Sequence, residues 1–446
     1  MDFISNLISL GTTPSVFLTA FLVCFIGYAI GAIKVKGLSL GTAGVFLFAL
    51  LFGYLCTLPS LENIPVLGKL FLGQSENEAV SKMVTTNLSS FKFISNIGLV
   101  LFVTAVGSIA GPKFFRDLKR NAKTYVPMGL LIICIGAVVT ALFAMLPGVG
   151  SEYATGVMSG ALTSTPAFSA AKECAGAKEG LVVLGQAVAY PFGVIGVVLF
   201  VQIMPRILKA DMNKERALIG ATTASTGSGD ADDAADAASA DVAETKPAKK
   251  LVKLDGFGFA AFGLAIVLGI LLGSIKIPLS GNGYAEGAPT FSLGMTGGPL
   301  IMSLLLGHFG RIGRISLKTD TNALKSFREF GLMLFLLGAG IDGGVNLVEQ
   351  IGQSELGGML VVYGFIAGMV ITLIPMIVGY LFARYICKLP LLNNLGSITG
   401  GMTSTPALGT LIGVAETDDV AGSYASTYPV ALVLVVFAAQ LINTFI

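Results

Sequence analysis

Twelve long stretches free of Asp, Glu, Lys and Arg punctuate this chain, and they dictate most of what it can fold into. They run from Ser15 to Ile33, Gly37 to Leu61, Phe93 to Pro112, Thr124 to Ser151, Tyr153 to Ala171 and Gly180 to Pro205. After a gap come Gly256 to Ile275, Gly287 to Gly310, Phe330 to Ile341, Leu356 to Ala383, Leu389 to Ala415 and Val420 to Ile446. A hydrocarbon core about 30 Å thick takes a helix of about 20 apolar residues, so the runs read as membrane-embedded segments. Only 12% of the residues are charged and 54% are hydrophobic. A soluble protein carries about 25% charged residues, so this chain could not cover a water-facing surface. An all-α polytopic membrane protein follows. The start of the chain lacks a basic segment and a small-residue cleavage site, so the first run is expected to be a retained helix rather than a signal peptide.

The same inventory excludes several function classes. A net charge of +2 leaves no electrostatic footprint for nucleic acid. Cys24, Cys56, Cys134, Cys174 and Cys387 show no CxxC spacing and read as packing residues rather than a metal or redox centre. With His308 as the single histidine there is no basis for a His-dependent triad or a His cluster for zinc, so the chain reads as a non-enzyme with no resident cofactor.

Two runs, Tyr153 to Ala171 and Leu389 to Ala415, are crowded with Gly, Ser, Thr, Asn and Pro. Irregular backbone at membrane depth is tolerated only where protein or a watery cavity surrounds it, so both read as re-entrant hairpins. Basic residues support that choice. Ten full helices with two hairpins and an external N-terminus gather Lys34, Lys36, the cluster from Lys113 to Lys123, the central linker, the basic residues from Arg311 to Arg328, Arg384 and Lys388 on the cytosolic side. The C-terminus then also lies outside.

Between the halves, Ala210 to Lys253 is rich in Ala, Asp, Thr and Ser and offers no apolar face. It reads as a disordered cytosolic tether whose basic end, Lys246, Lys249 and Lys250, can rest on anionic lipid headgroups. The domains are therefore residues 1–209, a first membrane repeat; 210–253, the linker; and 254–446, a second repeat.

The halves match each other. Ser39-Leu40-Gly41 followed by Gly44 and Gly53 parallels Ser292-Leu293-Gly294 followed by Gly297 and Gly307. Gly98, Phe102, Gly107 and Gly111 return as Gly331, Phe335, Gly340 and Gly344, all at one offset, and Tyr190-Pro191 returns as Tyr428-Pro429. Thr163-Ser164-Thr165-Pro166-Ala167 recurs unchanged as Thr403-Ser404-Thr405-Pro406-Ala407. Matches in this order mark a duplication. Five spans per copy is an odd number, so the second copy enters the membrane upside down. Inverted repeats of this kind are a transporter arrangement, with the substrate site near the midplane where the repeats meet.

The repeated pentapeptide carries chemistry of its own. Proline is at home in the first turn of a helix, and a Ser or Thr before it can cap the free amides. A helix start inside the membrane offers unpaired N–H groups and a partial positive charge, which attract a carboxylate without Lys or Arg. Two such starts aimed at one cavity suit a small substrate with one or two carboxylates, with the hydroxyls of Thr163, Ser164, Thr165, Thr403, Ser404 and Thr405 setting orientation. Tyr190 and Tyr428 precede prolines that free a backbone carbonyl, a ligand for sodium or for a substrate ammonium, although both rings also suit plain packing. Asp342 is the one acid well inside a predicted span and is the candidate for coupling to a cation or proton; with Gly343 and Gly344 next to it, it also fits an outer mouth.

These residues resemble the aspartate/alanine exchangers, a family with two copies of a membrane domain. The stretch Gly98-Leu99-Val100-Leu101-Phe102-Val103-Thr104-Ala105-Val106-Gly107, ending in Gly111-Pro112-Lys113-Phe114-Phe115, is similar to that family's third-helix signature. Gly160-Ala161-Leu162 leading into the pentapeptide is similar to its threonine–proline hairpin. The resemblance implies exchange of an acidic amino acid such as aspartate, or a dicarboxylate such as succinate, against alanine or a related solute across a bacterial inner membrane. It also implies an elevator-like shift of a core domain against a scaffold domain, often in a homodimer. Many relatives hold folded regulatory domains between the halves, and the short linker here has no room for them. The rival readings are a sodium- or proton-coupled symporter of a carboxylate and, from another class, a channel or membrane sensor; a channel usually builds its filter from several subunits, whereas this chain holds a complete pair of repeats.

Overall fold

The computed structural model describes residues 13–33, 42–58, 72, 78–120, 123–226, 254–278, 290–353, 356–417 and 419–446. Each of the twelve charge-free runs carries helix. The first half contributes α1 (Thr13–Gly31), α2 (Ala43–Leu55), α3 (Glu78–Arg120), α4 (Tyr125–Ala144), α5 (Ser151–Ala161), α6 (Thr165–Ala175) and α7 (Glu179–Ile207). After α8 (Met212–Thr226), the second half contributes α9 (Phe259–Gly273), α10 (Gly294–Phe309), α11 (Thr321–Gln353), α12 (Met359–Tyr385), α13 (Leu391–Gly401), α14 (Thr405–Ala415) and α15 (Val420–Phe445). Two short antiparallel ribbons complete the described elements: β1 (Lys276–Pro278) pairs with β2 (Thr290–Ser292), and β3 (Arg311–Ile312) with β4 (Ile315–Ser316).

Among the described residues, six stretches are long and apolar enough to cross a membrane: Val84–Pro112, Tyr125–Ala144, Thr165–Ile207, Thr321–Leu347, Met359–Tyr385 and Val420–Phe445. The remaining full spans expected from the sequence are shorter helices, among them Val16–Gly31, Gly44–Leu55 and Phe259–Gly273. Large apolar side chains such as Phe25, Leu142 and Leu271 stand exposed on the outside, as an apolar solvent allows. The chain is a multi-pass membrane protein.

The linker differs from its sequence expectation. Its first part is ordered, because Met212–Thr226 forms α8 and docks on the second half. Leu391 N–H donates to Glu215 Oε2 at 2.9 Å, and Arg216 Nε donates to the Ala415 carbonyl at 2.7 Å. Composition could not reveal this, since the partners lie far away in the chain. Residues 227–253, with Lys246, Lys249 and Lys250, lie outside the described residues, as do Lys34, Lys36 and Ser39-Leu40-Gly41.

Close helix contacts fall on small residues, which let backbones approach where apolar side chains gain nothing by leaving lipid. Gly27 and Gly44 join α1 to α2, and Gly269 and Gly298 join α9 to α10. Between the halves, Gly340 and Gly344 of α11 lie against α2, while Gly107 and Gly111 of α3 lie against α10. The long helices α3 and α11 cross each other antiparallel, because Gly98 meets Gly331 whereas Ser95 meets Gly338. The Ser95 hydroxyl adds a hydrogen bond to the Phe335 carbonyl at 3.0 Å.

Most of the buried core belongs to α4–α7 and α12–α15, with parts of α3, α10 and α11 packed on it. A smaller cluster joins α1, α2, α3 and α11. Within the larger body each broken pair turns back on itself. The ion pair between Lys178 and Glu152, 2.8 Å, brings the start of α5 to the end of α6. Both ends of the α13–α14 pair meet α8 instead. Lys178 precedes α7 and α8 follows it, so the two hairpins enter from opposite ends of α7.

Candidate functional site

The hairpin tips touch, and they are built alike. At the first, α5 ends with Ser164 N–H bonded to the Ser159 carbonyl and Thr163 N–H bonded to that of Gly160. At the second, Ser404 bonds back to Thr399 and Thr403 to Gly400. Both are helix terminations that need a left-handed residue, normally glycine. Here threonine fills the place, with φ of 52° at Thr163 and 51° at Thr403. A β-branched residue in that region is strained by about 1–3 kcal/mol and persists only where its surroundings hold it.

What holds each threonine is the other tip. Thr163 Oγ1 donates to the Met402 carbonyl at 3.2 Å, and Thr403 Oγ1 donates to the Leu162 carbonyl at 2.9 Å. Both side chains are buried. A glycine would lack the hydroxyl, which gives the motif a reason to carry threonine at a position where backbone preference opposes it.

One residue further on, the second helix of each hairpin begins. Ser164, rather than Thr165, is the N-cap of α6, and its hydroxyl accepts from Ala167 N–H at 3.3 Å. Ser404 is in the same place before α14, but its buried hydroxyl has no hydrogen-bond partner among the described residues. Thr165 is half-buried and its carbonyl accepts from Ser169, Pro166 and Ala167 are buried, and Ala407 is buried. Thr405 and Pro406 open α14, with their side chains outside the described set. The starts of two eleven-residue helices thus lie beside one contact, each presenting the positive end of its dipole.

Tyr190 and Tyr428 sit one turn behind the tips. The backbone of Gly160 packs against Tyr190 N–H, and that of Gly400 packs beside Tyr424 and Thr427. Tyr428 stacks on Tyr424 with ring centroids 5.1 Å apart. Pro191 and Pro429 lie inside α7 and α15 as expected.

Asp342 is not at the tips. It faces a cavity of about 310 Å³ near the start of α7, walled by α3, α6, α7 and α11. Asp342 Oδ2 and Glu179 Oε2 each lie 3.5 Å from Lys172 Nζ, and Glu179 Oε1 pairs with Lys92 at 2.5 Å. Lys172, at 12% side-chain exposure, is the most enclosed of the four. Glu173 from the same hairpin reaches α10, where its carboxylate accepts from Met295 N–H and, at 3.2 Å, from Thr296 N–H. The fourfold set Lys92, Lys172, Glu179 and Asp342 was not foreseen beyond Asp342. Its one signal in the sequence is that Lys172 and Glu173 end the first hairpin run.

The profile described as "Asp-Al_Ex: Predicted Permease Membrane Region" matches residues 60–206 and 261–444, both halves of the chain without the linker. The chain belongs to the aspartate/alanine exchanger family. Relatives of this exchanger-family chain match most of its length. An uncharacterized transporter of Bacteroides fragilis is 27% identical over 569 aligned positions, covering 97% of this chain and 98% of that protein. One from Bacteroides thetaiotaomicron is 26% identical, covering 96% and 98%. One from Rhodopirellula baltica is 28% identical, covering 94% and 97%. The exchanger-family chain is accordingly a membrane transporter, and the touching tips and the charged cavity are its two candidate sites.

Proposed function

We propose that the protein is a secondary active transporter that exchanges small organic anions: an acidic amino acid such as aspartate, or a dicarboxylate such as succinate, against alanine or a related solute. The observation that carries this reading is the meeting of the two tips through Thr163 and Thr403, with a helix start behind each. Two positive helix ends at one buried point attract carboxylate groups without a fixed cation. The tips are in contact, so a substrate binds as they part, to Thr163–Ala167 on one side and Thr403–Ala407 on the other, with Tyr190 and Tyr428 behind them.

The reciprocal packing supports inverted repeats. α3 crosses α11 antiparallel, the hairpins enter from opposite ends of α7, and each half lends its third helix to the other. Such a pair gives two equivalent poses, one open to each side. In the proposed cycle α4–α7 with α12–α15 form the mobile core, and α1–α3 with α9–α11 the scaffold, of a homodimer in the bacterial inner membrane. Both termini then lie outside and the linker lies in the cytosol.

The decisive measurement is counterflow in proteoliposomes. Labelled aspartate or succinate should enter only vesicles preloaded with an exchangeable solute, and Thr165→Leu or Thr405→Leu should abolish entry while the protein stays folded. Unchanged entry in both variants would remove the hairpins from the mechanism. A second reading, sodium- or proton-coupled symport, is favoured by one observation, the Asp342–Lys172 pair in the cavity. Entry driven by an imposed ion gradient into empty vesicles would replace exchange with symport.

A further inference from the structure

We propose that the charged cavity beside α6 and α7 is a second carboxylate-binding site, in which a substrate carboxylate replaces Asp342 as the partner of Lys172. The proposal rests on the reading of the chain as a carrier of small carboxylates, and it assigns that substrate a station separate from the hairpin tips.

Size comes first. A volume of about 310 Å³ equals that of about ten water molecules, enough for a solute with about as many heavy atoms. Charge is the second argument. Glu173 is already satisfied by the backbone of α10, so the groups left to face the cavity are Lys92 of α3, Lys172 of α6, Glu179 of α7 and Asp342 of α11. Two ammonium groups thus approach from different walls.

Lys172 is poorly served by its neighbours. An ammonium–carboxylate hydrogen bond spans about 2.7–2.9 Å, whereas Lys172 lies 3.5 Å from both Glu179 and Asp342. Asp342 Oδ2 is buried and makes no hydrogen bond among the described residues. Glu179 has a close second partner in Lys92, so it can release Lys172 without being stranded. An enclosed cation with three donors and two distant acceptors is a host for a carboxylate that can come closer. Ser95, Asn96 and Ser169 line the same space and add neutral polar contacts.

The swap has a consequence for movement. Lys172 rides on the first hairpin, whereas Asp342 belongs to α11, which crosses α3. Substrate that takes Lys172 therefore undoes an ion pair joining the hairpin body to the long crossing helices. It also leaves Asp342 without its ion-pair partner, so removing the Asp342 charge should help substrate rather than hinder it.

The test uses the purified full-length protein in detergent and titrates succinate and aspartate by calorimetry and thermal shift, with succinamide as the uncharged control. Lys172→Met should weaken carboxylate binding by about tenfold or more, the loss expected for a charge-assisted bond. Lys172→Arg should bind close to wild type, and Asp342→Asn should bind more tightly. Succinamide should give no shift in any of them. If Lys172→Met does not fold, the opposite signs of Lys172→Arg and Asp342→Asn still decide. Equal affinity in wild type and Lys172→Met, or weakening by Asp342→Asn, would overturn the site, the latter because the pair would then be purely structural. If counterflow persists while Lys172→Met binds normally, only this cavity fails. If wild type neither binds nor exchanges any carboxylate, the reading beneath it fails too.

Discussion

Gly98 and Gly331 meet backbone to backbone at the crossing of α3 and α11. A methyl group on Gly98 would lie 2.6 Å from the Gly331 carbonyl oxygen, and one on Gly331 would lie 2.7 Å from that of Gly98. The two residues occupy matching positions in the two halves of the sequence, so the contact pairs like with like. Gly98→Ala or Gly331→Ala should each force the helices apart and destabilise the protein by about 1–3 kcal/mol, as overpacking of a close-packed site does. Thermal denaturation in detergent reads this directly, and a variant as stable as wild type would mean that the crossing is loose.

The tip contact has a different signature. Thr163→Val and Thr403→Val keep the branched shape and the strained backbone but delete the donors to the Met402 and Leu162 carbonyls. Each should cost about 1–3 kcal/mol, the penalty for leaving a buried acceptor unpaired. The two bonds share one interface, so the double variant should fall short of the sum of the single effects, measured as a double-mutant cycle.

Asp255 supplies a pH-dependent element outside the membrane spans. Its carboxylate accepts from the N–H groups of Phe257, Gly258, Phe259 and Ala260 at the start of α9, and these bonds hold its pKa below the ordinary carboxylate value. A folded pKa below the unfolded one gives stability that is present above the unfolded value and lost as pH falls through the folded one. Amide protection at the start of α9, measured against the intrinsic exchange rate at each pH, should therefore fall below the usual Asp range in wild type. Asp255→Ala should exchange faster at neutral pH and lose that dependence.

Helix α8 should act as a clamp on the second hairpin. Glu215 caps the first amide of α13 and Arg216 holds the end of α14. Glu215→Ala with Arg216→Ala should raise amide exchange across Leu391–Ala415 and leave Ser151–Ala175 unchanged. Equal changes in both hairpins would mean that α8 steadies the whole body rather than one element.

The positions of the helices were legible because lipid leaves so few alternatives. An uncharged run must satisfy its own backbone, and helix is how a single segment does so. The correspondence between the halves was legible because identical residues recur in order, and the proline-led helix starts because the Thr-Pro step recurs at matching positions in both. Which hydroxyl caps α6 was not, since Ser164 and Thr165 could each serve. Nor was the helix at Met212–Thr226, whose weakly apolar sequence gives no sign of its contacts with the start of α13 and the end of α14.

By itself, then, the sequence determined a membrane protein of two related halves, each with a broken segment carrying Thr-Ser-Thr-Pro-Ala. Those features depend on local composition, on backbone chemistry and on repetition along the chain. Only tertiary structure decided that Thr163 reaches across to Met402, and that Lys92, Lys172, Glu179 and Asp342 surround one cavity. A charge carries no record in the sequence of which distant helix it will face, and that choice is made when glycine-lined helices settle at the few angles at which their backbones can touch.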